Sequence, residues 1–341
     1  MDLTYENHKI IYTLLAKTVN FLSRVPVLLP RIKEKEIRAV NLDEYDKEVV
    51  ESLGNKADLY RKLSHQENYD NFIMIDKCDS LLYSSLYHTF NPLFFIEAAK
   101  DYDNKWHRRP TYLPECYPLH SKSTISRDML LGVMTYCWFQ KELDILEELW
   151  DYGASHNWIM GEGDISRVYF TPSLQQLLAE MILALGGKDH YFARRIIPSY
   201  PSIDSISRTH PDFRLAGYEC HLLALRLLLK FDVTGTYTKK EKKLVTALYQ
   251  RNEYNPLFCY LDDWIKYGDC FCGTTSLLND PRWFPEGRLP TSQDRECDWL
   301  PARDIEIKNG AEVYPGDPSP NVKIHTGGDF LFIYGLLRRH L

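Results

Sequence analysis

The sequence predicts an all-α protein built of helical hairpins arranged as an α/α toroid, and three observations lead there. Apolar residues recur at helical spacing through most of the 341 residues, with few strand-like stretches. Helices that are apolar on nearly every face alternate with helices carrying one apolar stripe and one charged face. The links between neighbours are short, which makes the neighbours antiparallel.

The periodicity places helices near 5–22, 43–66 in two pieces, 77–89, 92–101, 126–140, 142–153, 172–186, 189–197, 212–230, 238–251, 255–267 and 328–340. Segments 126–140 and 212–230 are apolar all round, so they must be buried. Segments 142–152 and 238–250 are amphipathic, so they lie against them with one face in water. Only Lys141 separates the helix ending at Gln140 from the one starting at Glu142, and Gly186, Gly187 and Lys188 turn the chain before 189. Hairpins with one buried and one half-buried member fit two concentric rings better than a four-helix bundle, and no repeat of fixed period points to a solenoid. Two segments, 101–125 and 268–326, lack helical pattern. Within the second, DIEIK and AEVYP flank Asn309 and Gly310, the signature of a two-residue β-hairpin. One domain over residues 1–341 is expected, with these two segments as functional loops.

Composition narrows the function. Hydrophobic residues make up 44% and charged residues 26%, ordinary values for a folded protein. A net charge of −6 argues against a nucleic-acid surface. The eight cysteines, at 78, 116, 137, 220, 259, 270, 272 and 297, are scattered as in a reduced core. No apolar run reaches the ~20 residues of a membrane span, and no leader is evident, so a cytoplasmic protein or one exported without a recognisable signal is expected. Cys220 with His221, Cys270 and Cys272 have poor spacing for zinc, and Trp299 and Ile305 stand where an EF-hand loop begun at Asp294 needs Gly and Glu. The common metalloprotease, nucleotide and esterase motifs do not occur, and no cofactor is expected.

The most informative feature is a carboxylate at the start of strongly apolar helices: Asp76 and Asp79 before LLYSSLY, Asp128 in SRDMLLGVMTYCWFQ, and Asp329 in HTGGDFLFIYGLL. Capping of free N–H groups explains any one of them. Two lie in mixed polar clusters that capping does not require: Asp128 follows His120, Lys122, Ser126 and Arg127, and Asp329 follows Lys323, His325 and two glycines. Paired carboxyls, with aromatic planes for sugar rings, are what glycoside cleavage needs. Trp106, Tyr112, Trp283, Trp299 and Tyr314 lie in loop segments that would rim such a mouth, and Asp298 beside Trp299 forms a polar and stacking pair.

This layout resembles the six-hairpin glycosidase superfamily. Ser126-Arg127-Asp128 followed by Gly132, and Asp79-Ser80-Leu81-Leu82, resemble the two inner-helix starts that carry the catalytic Asp residues in the unsaturated glucuronyl hydrolase type. The resemblance implies an (α/α)6 toroid with its active site at one end of the inner ring, Asp79 and Asp128 as the working pair, and inversion at the anomeric centre. A glycoside hydrolase acting on an oligo- or polysaccharide is therefore expected, with Asp128 as general acid and Asp79 or Asp329 as the base. Arg127, His120, Lys122 and His325 are expected to bind hydroxyls or a sugar carboxylate. A lyase or epimerase on the same scaffold, using His120, His325, Tyr83 and Arg127, is the enzymatic alternative. A non-catalytic interaction module is the third possibility.

Overall fold

The computed structural model describes residues 53–54, 57, 72, 80–90, 94–111, 124–162, 167–206, 217–251, 253, 255–268, 270–279, 306–308, 311–313 and 328–340. The helices expected at 5–22 and 43–66 lie almost wholly outside this set. The described chain is mostly helical, in agreement with the all-α reading.

The helices appear in order as α1 (Ser80–His88), α2 (Arg127–Gln140), α3 (Leu143–Ser155), α4 (Pro172–Ala184), α5 (Tyr191–Arg194), α6 (Ile203–Ile206), α7 (Gly217–Thr234), α8 (Lys239–Arg251), α9 (Pro256–Tyr267), α10 (Cys272–Asn279) and α11 (Gly328–Arg338). Strands β1 (Ile159–Glu162) and β2 (Arg167–Tyr169) form one antiparallel pair, and β3 (Glu306–Lys308) and β4 (Ala311–Val313) form another. The second pair flanks Asn309-Gly310, where the hairpin was expected.

The alternation of helix types is present in the packing. Every residue of α1 is buried, as is α2 from Asp128 to Trp138. In contrast, α3 buries only Ile145, Leu146, Leu149, Tyr152 and Gly153, the stripe that a 3.6-residue repeat predicts. In α8 the stripe is Leu244, Val245, Ala247 and Leu248, and each fully buried Leu or Val contributes about 1.5–3 kcal/mol. The α2–α3 link is as tight as the sequence implied: Lys141 takes a left-handed conformation (φ 66°) and Glu142 N–H reaches back to Cys137 O at 2.9 Å.

A few contacts fix the direction of the buried helices. Leu81 N–H donates to Arg108 O (2.9 Å) and Arg108 N–H to Thr124 O (3.0 Å), tying the start of α1 to the approach of α2. At the other end Gln140 Nε2 donates to Thr89 O (2.6 Å), Trp138 Nε1 to Asp232 Oδ2 (2.5 Å) and Arg339 to Asp232 Oδ1 (3.0 Å). Thus α1, α2, α7 and α11 run in the same direction, with their C-termini gathered at one pole. Helix α1 packs on both α2 and α11, α2 packs on α7, and α9 packs on both α7 and α11. A hydrogen bond of 2.9 Å joins Tyr260, in the first turns of α9, to His340 beyond the end of α11, so α9 is antiparallel to that set.

Two expected helices are corrected. Of the segment 92–101, the described residues 94–101 form only a 3-10 helix, Ile96–Ala99, because Lys100 turns extended to bridge Trp106 and Asp101 accepts the N–H groups of Asp103 and Lys105 in a local turn. The segment 189–197 shrinks to the single turn α5, since Ile197 precedes Pro198, which disfavours a helical residue before it. The β1–β2 pair and the short helices α6 and α10 were not anticipated. Gly161 allows β1 to lie against the approach of α2, where a Cβ would meet Ile125 Cγ2 at 2.5 Å. Among the described residues no helix is long and apolar enough to cross a membrane.

Candidate functional site

The two ends of the parallel set differ. At the C-terminal pole Phe90, Phe139 and Phe332 pack ring on ring, and Arg339 sits 4.6 Å above Phe139 while paired to Asp232, which closes that end. At the N-terminal end the first turns of α2, α4 and α7 converge on one cavity of about 290 Å³. That is near the lower edge of small-molecule sites, roughly 300–1,000 Å³.

Each wall follows from helical spacing. Arg127 and Leu131 are one turn apart on α2; Glu219, Leu222, Leu223 and Arg226 form a single stripe over the first half of α7. Thr171 and Ser173 at the start of α4 face Ser199 and Pro201, which follow α5. Ser173 Oγ accepts the Ser199 N–H at 2.9 Å and so pins that connection to α4. Arg127 is exposed and, among the described residues, unpaired.

Arg226 is held differently. Its guanidinium donates to Ser199 O (3.0 Å) and lies 4.4 Å over the Tyr200 ring, while its buried Nε has no partner among the described residues. Burial lowers its pKa, partly offset by Tyr200 and Glu241. Behind it Tyr200 donates its hydroxyl to Glu241, which also accepts Lys230 Nζ (2.9 Å) and Thr238 N–H (2.6 Å). The Glu241 N–H returns to Thr238 Oγ1 at 3.2 Å, a capping box at the start of α8. Burial, then the hydrogen bond to Glu241, hold the Tyr200 phenol well above its usual range. The network fixes a cation at the cleft, and two guanidinium groups face one carboxylate, Glu219, among the described lining residues.

The sequence-predicted residues fare unevenly. Asp128 is in the first turn of α2, 6% exposed, and accepts a hydrogen bond from the Ser126 hydroxyl; its neighbour Arg127 lines the cleft and Asp128 itself does not. Asp329 is the second residue of α11, whose direction sets that residue at the N-terminal end of the parallel helices. Asp79, His120, Lys122, Asp298, Trp299 and His325 lie outside the described residues, as do Asp76, Asp294 and Cys297. Trp106 is corrected. It is 1% exposed within the core rather than on a rim, because the Lys100 bridge folds it inward and Lys100 is itself gripped by Glu97 and Glu148. Cys220 and His221 are fully buried, away from solvent-exposed Cys270 and Cys272.

Sequence reasoning missed Glu219, Arg226, Thr171, Ser173 and Ser199. A signal existed for the first two: YECHLLALRLLL is one more carboxylate at the start of an apolar helix, with Arg226 seven residues on along the same stripe. Placing that helix at 212–230 put Glu219 mid-helix and hid it. Compared with protein-family models, curated proteins and solved structures, the chain finds no match.

Proposed function

We propose that the chain is a glycoside hydrolase on an α/α toroid, its saccharide substrate entering the cleft at the N-terminal end of the parallel helices. One observation carries this reading: α2 and α7, which run in the same direction, bring Arg127 and Glu219 of their first turns, with Arg226 two turns further along α7, to a single cavity. Oriented N–H groups and guanidinium forks there suit an oxygen-rich ligand bearing a negative charge. Asp128, buried beside Arg127 at the edge of the cleft, is assigned as general acid; protonating the leaving glycosidic oxygen requires its carboxyl to turn from Ser126 into the cleft that it does not line. The base that activates water is drawn from Asp79, Asp329 and the newly found Glu219, and inversion is proposed on the resemblance of the sequence layout to toroid glycosidases, which mostly invert. Arg127 and Arg226 bind a carboxylate on the sugar.

The test is a screen of neutral and uronate-containing oligo- and polysaccharides with wild type beside Asp128→Asn and Glu219→Gln. Loss of a general acid or base lowers kcat by about 10²–10⁴. Unchanged turnover in Asp128→Asn, with fold intact by circular dichroism, refutes its role. The excess of Arg over carboxylate in the described lining also favours a second reading, a polysaccharide lyase or epimerase in which Arg steadies an enolate. Unsaturated products absorbing in the ultraviolet would select the lyase.

A further inference from the structure

A second chemically distinct site lies at the opposite, closed pole, and it does not depend on the proposed reaction. Of the described cysteines, Cys137, Cys220 and Cys259 are buried, whereas Cys270 and Cys272 are exposed with their Sγ atoms 2.8 Å apart. The packing of Phe271 explains why two thiols one residue apart meet. Its ring is 3% exposed, stacked on Tyr260 at 4.5 Å with 4° between planes, and 4.6 Å from His340. With Phe271 driven inward, its two neighbours are turned to the same outer side. The following turn is fixed as well: Asp263 Oδ2 accepts both the N–H and the Oγ1 of Thr274 at 2.9 Å, holding the start of α10 against α9.

We propose that Cys270 and Cys272 form a reversible dithiol–disulfide couple whose oxidant is a small-molecule disulfide of the glutathione class. One protein thiol, as the thiolate, attacks a sulfur of RS–SR; the protein S–SR bond forms, the RS–SR bond breaks and RS⁻ leaves. The second thiolate then attacks the protein sulfur of that mixed disulfide and expels the other RS⁻, closing the Cys270–Cys272 bond. The protein gives up two electrons and two protons, and the reagent leaves as two thiols. The second step is intramolecular between groups already in contact, so the mixed disulfide does not accumulate. A ring closed across one residue is strained, which keeps the bond easily reduced. Phe271 packs on Tyr260 and His340, which are hydrogen-bonded to each other at 2.9 Å, so the couple lies next to the end of α11.

The experiment equilibrates the full chain in graded reduced and oxidised glutathione, with acid quench, intact mass and peptide mapping. The expected wild-type product is two hydrogens lighter, bridged between Cys270 and Cys272 within one chain, free of disulfides between chains, and restored by dithiothreitol. Cys270→Ser and Cys272→Ser, each at an exposed position, are expected to stop at a single glutathione adduct on the remaining thiol. Persistence of that adduct in wild type, absence of any oxidation, or bridging of either thiol to Cys78, Cys116 or Cys297 would overturn the proposal.

Discussion

At the scale of single residues, Glu241 shows how the cleft cation is held. Burial pushes its pKa up, but the Thr238 N–H, the Tyr200 hydroxyl and Lys230 favour the ionised form more strongly, and the carboxyl is held below its ordinary value of 4.5. A depressed folded pKa means that the stabilisation is fully present above the unfolded value and is lost as pH falls through the folded one. Glu241→Gln is therefore expected to cost about 1.5–3 kcal/mol at neutral pH, the range for hydrogen bonds to a charged group. That gap should close as pH drops below 4.5, as judged by urea unfolding of both proteins across the pH series. A gap independent of pH would show that the carboxylate charge contributes nothing. Residue-level legibility was partial for a related reason. The acids at helix starts were visible as a pattern, but Arg226 and Ser199 meet only through the turn after α5, and nothing in the sequence near either one announces the other.

Among elements, α1 and α2 approach each other closely along their backbones. A Cβ on Gly132 would meet Leu82 Cα and Cδ1 at 3.1 Å and Ser85 Cβ at 3.4 Å, so the parallel pair approaches backbone to backbone at this point. The backbone of a helix buried on every side has nowhere to retreat. Gly132→Val is expected to destabilise by about 1–3 kcal/mol through overpacking, read as a lower denaturant midpoint with unchanged slope. A neutral or stabilising result would mean that helix propensity outweighs the contact and that α1 yields. The helices α2, α3, α7, α8 and α9 were legible because their apolar periodicity extends over three turns or more. The 3-10 helix Ile96–Ala99 and the single turn α5 were misread because each depends on an interaction that a periodicity window does not contain: the Lys100–Trp106 bridge and the steric effect of Pro198. The β1–β2 pair escaped for want of length, with strands of four and three residues.

For the molecule as a whole, the last helix completes what the first described helix begins. Helix α11 packs against α1 and α9, elements far apart in sequence, and its end is fastened to α7 by Arg339 and Asp232. Alternating helix types suggested concentric layers from sequence, whereas this closure between distant elements leaves no local trace. The buried residues Leu331, Phe332, Ile333, Leu336 and Leu337 contribute on the order of 7–15 kcal/mol at about 1.5–3 kcal/mol each. That equals the whole net stability of a typical domain, about 5–15 kcal/mol. Removing residues 328–341 should then leave a chain that keeps local helices, whose hydrogen bonds are internal, but loses fixed packing between α1, α7 and α9. Far-ultraviolet circular dichroism should persist, the near-ultraviolet signal should vanish, and an apolar dye should bind. Adding the 328–341 peptide in excess should recover the near-ultraviolet signal, because the deleted contacts are concentrated in one continuous segment. A cooperative thermal transition in the truncated chain within a few degrees of the full-length one would mean that α11 is an accessory and that the parallel set is stable without closure.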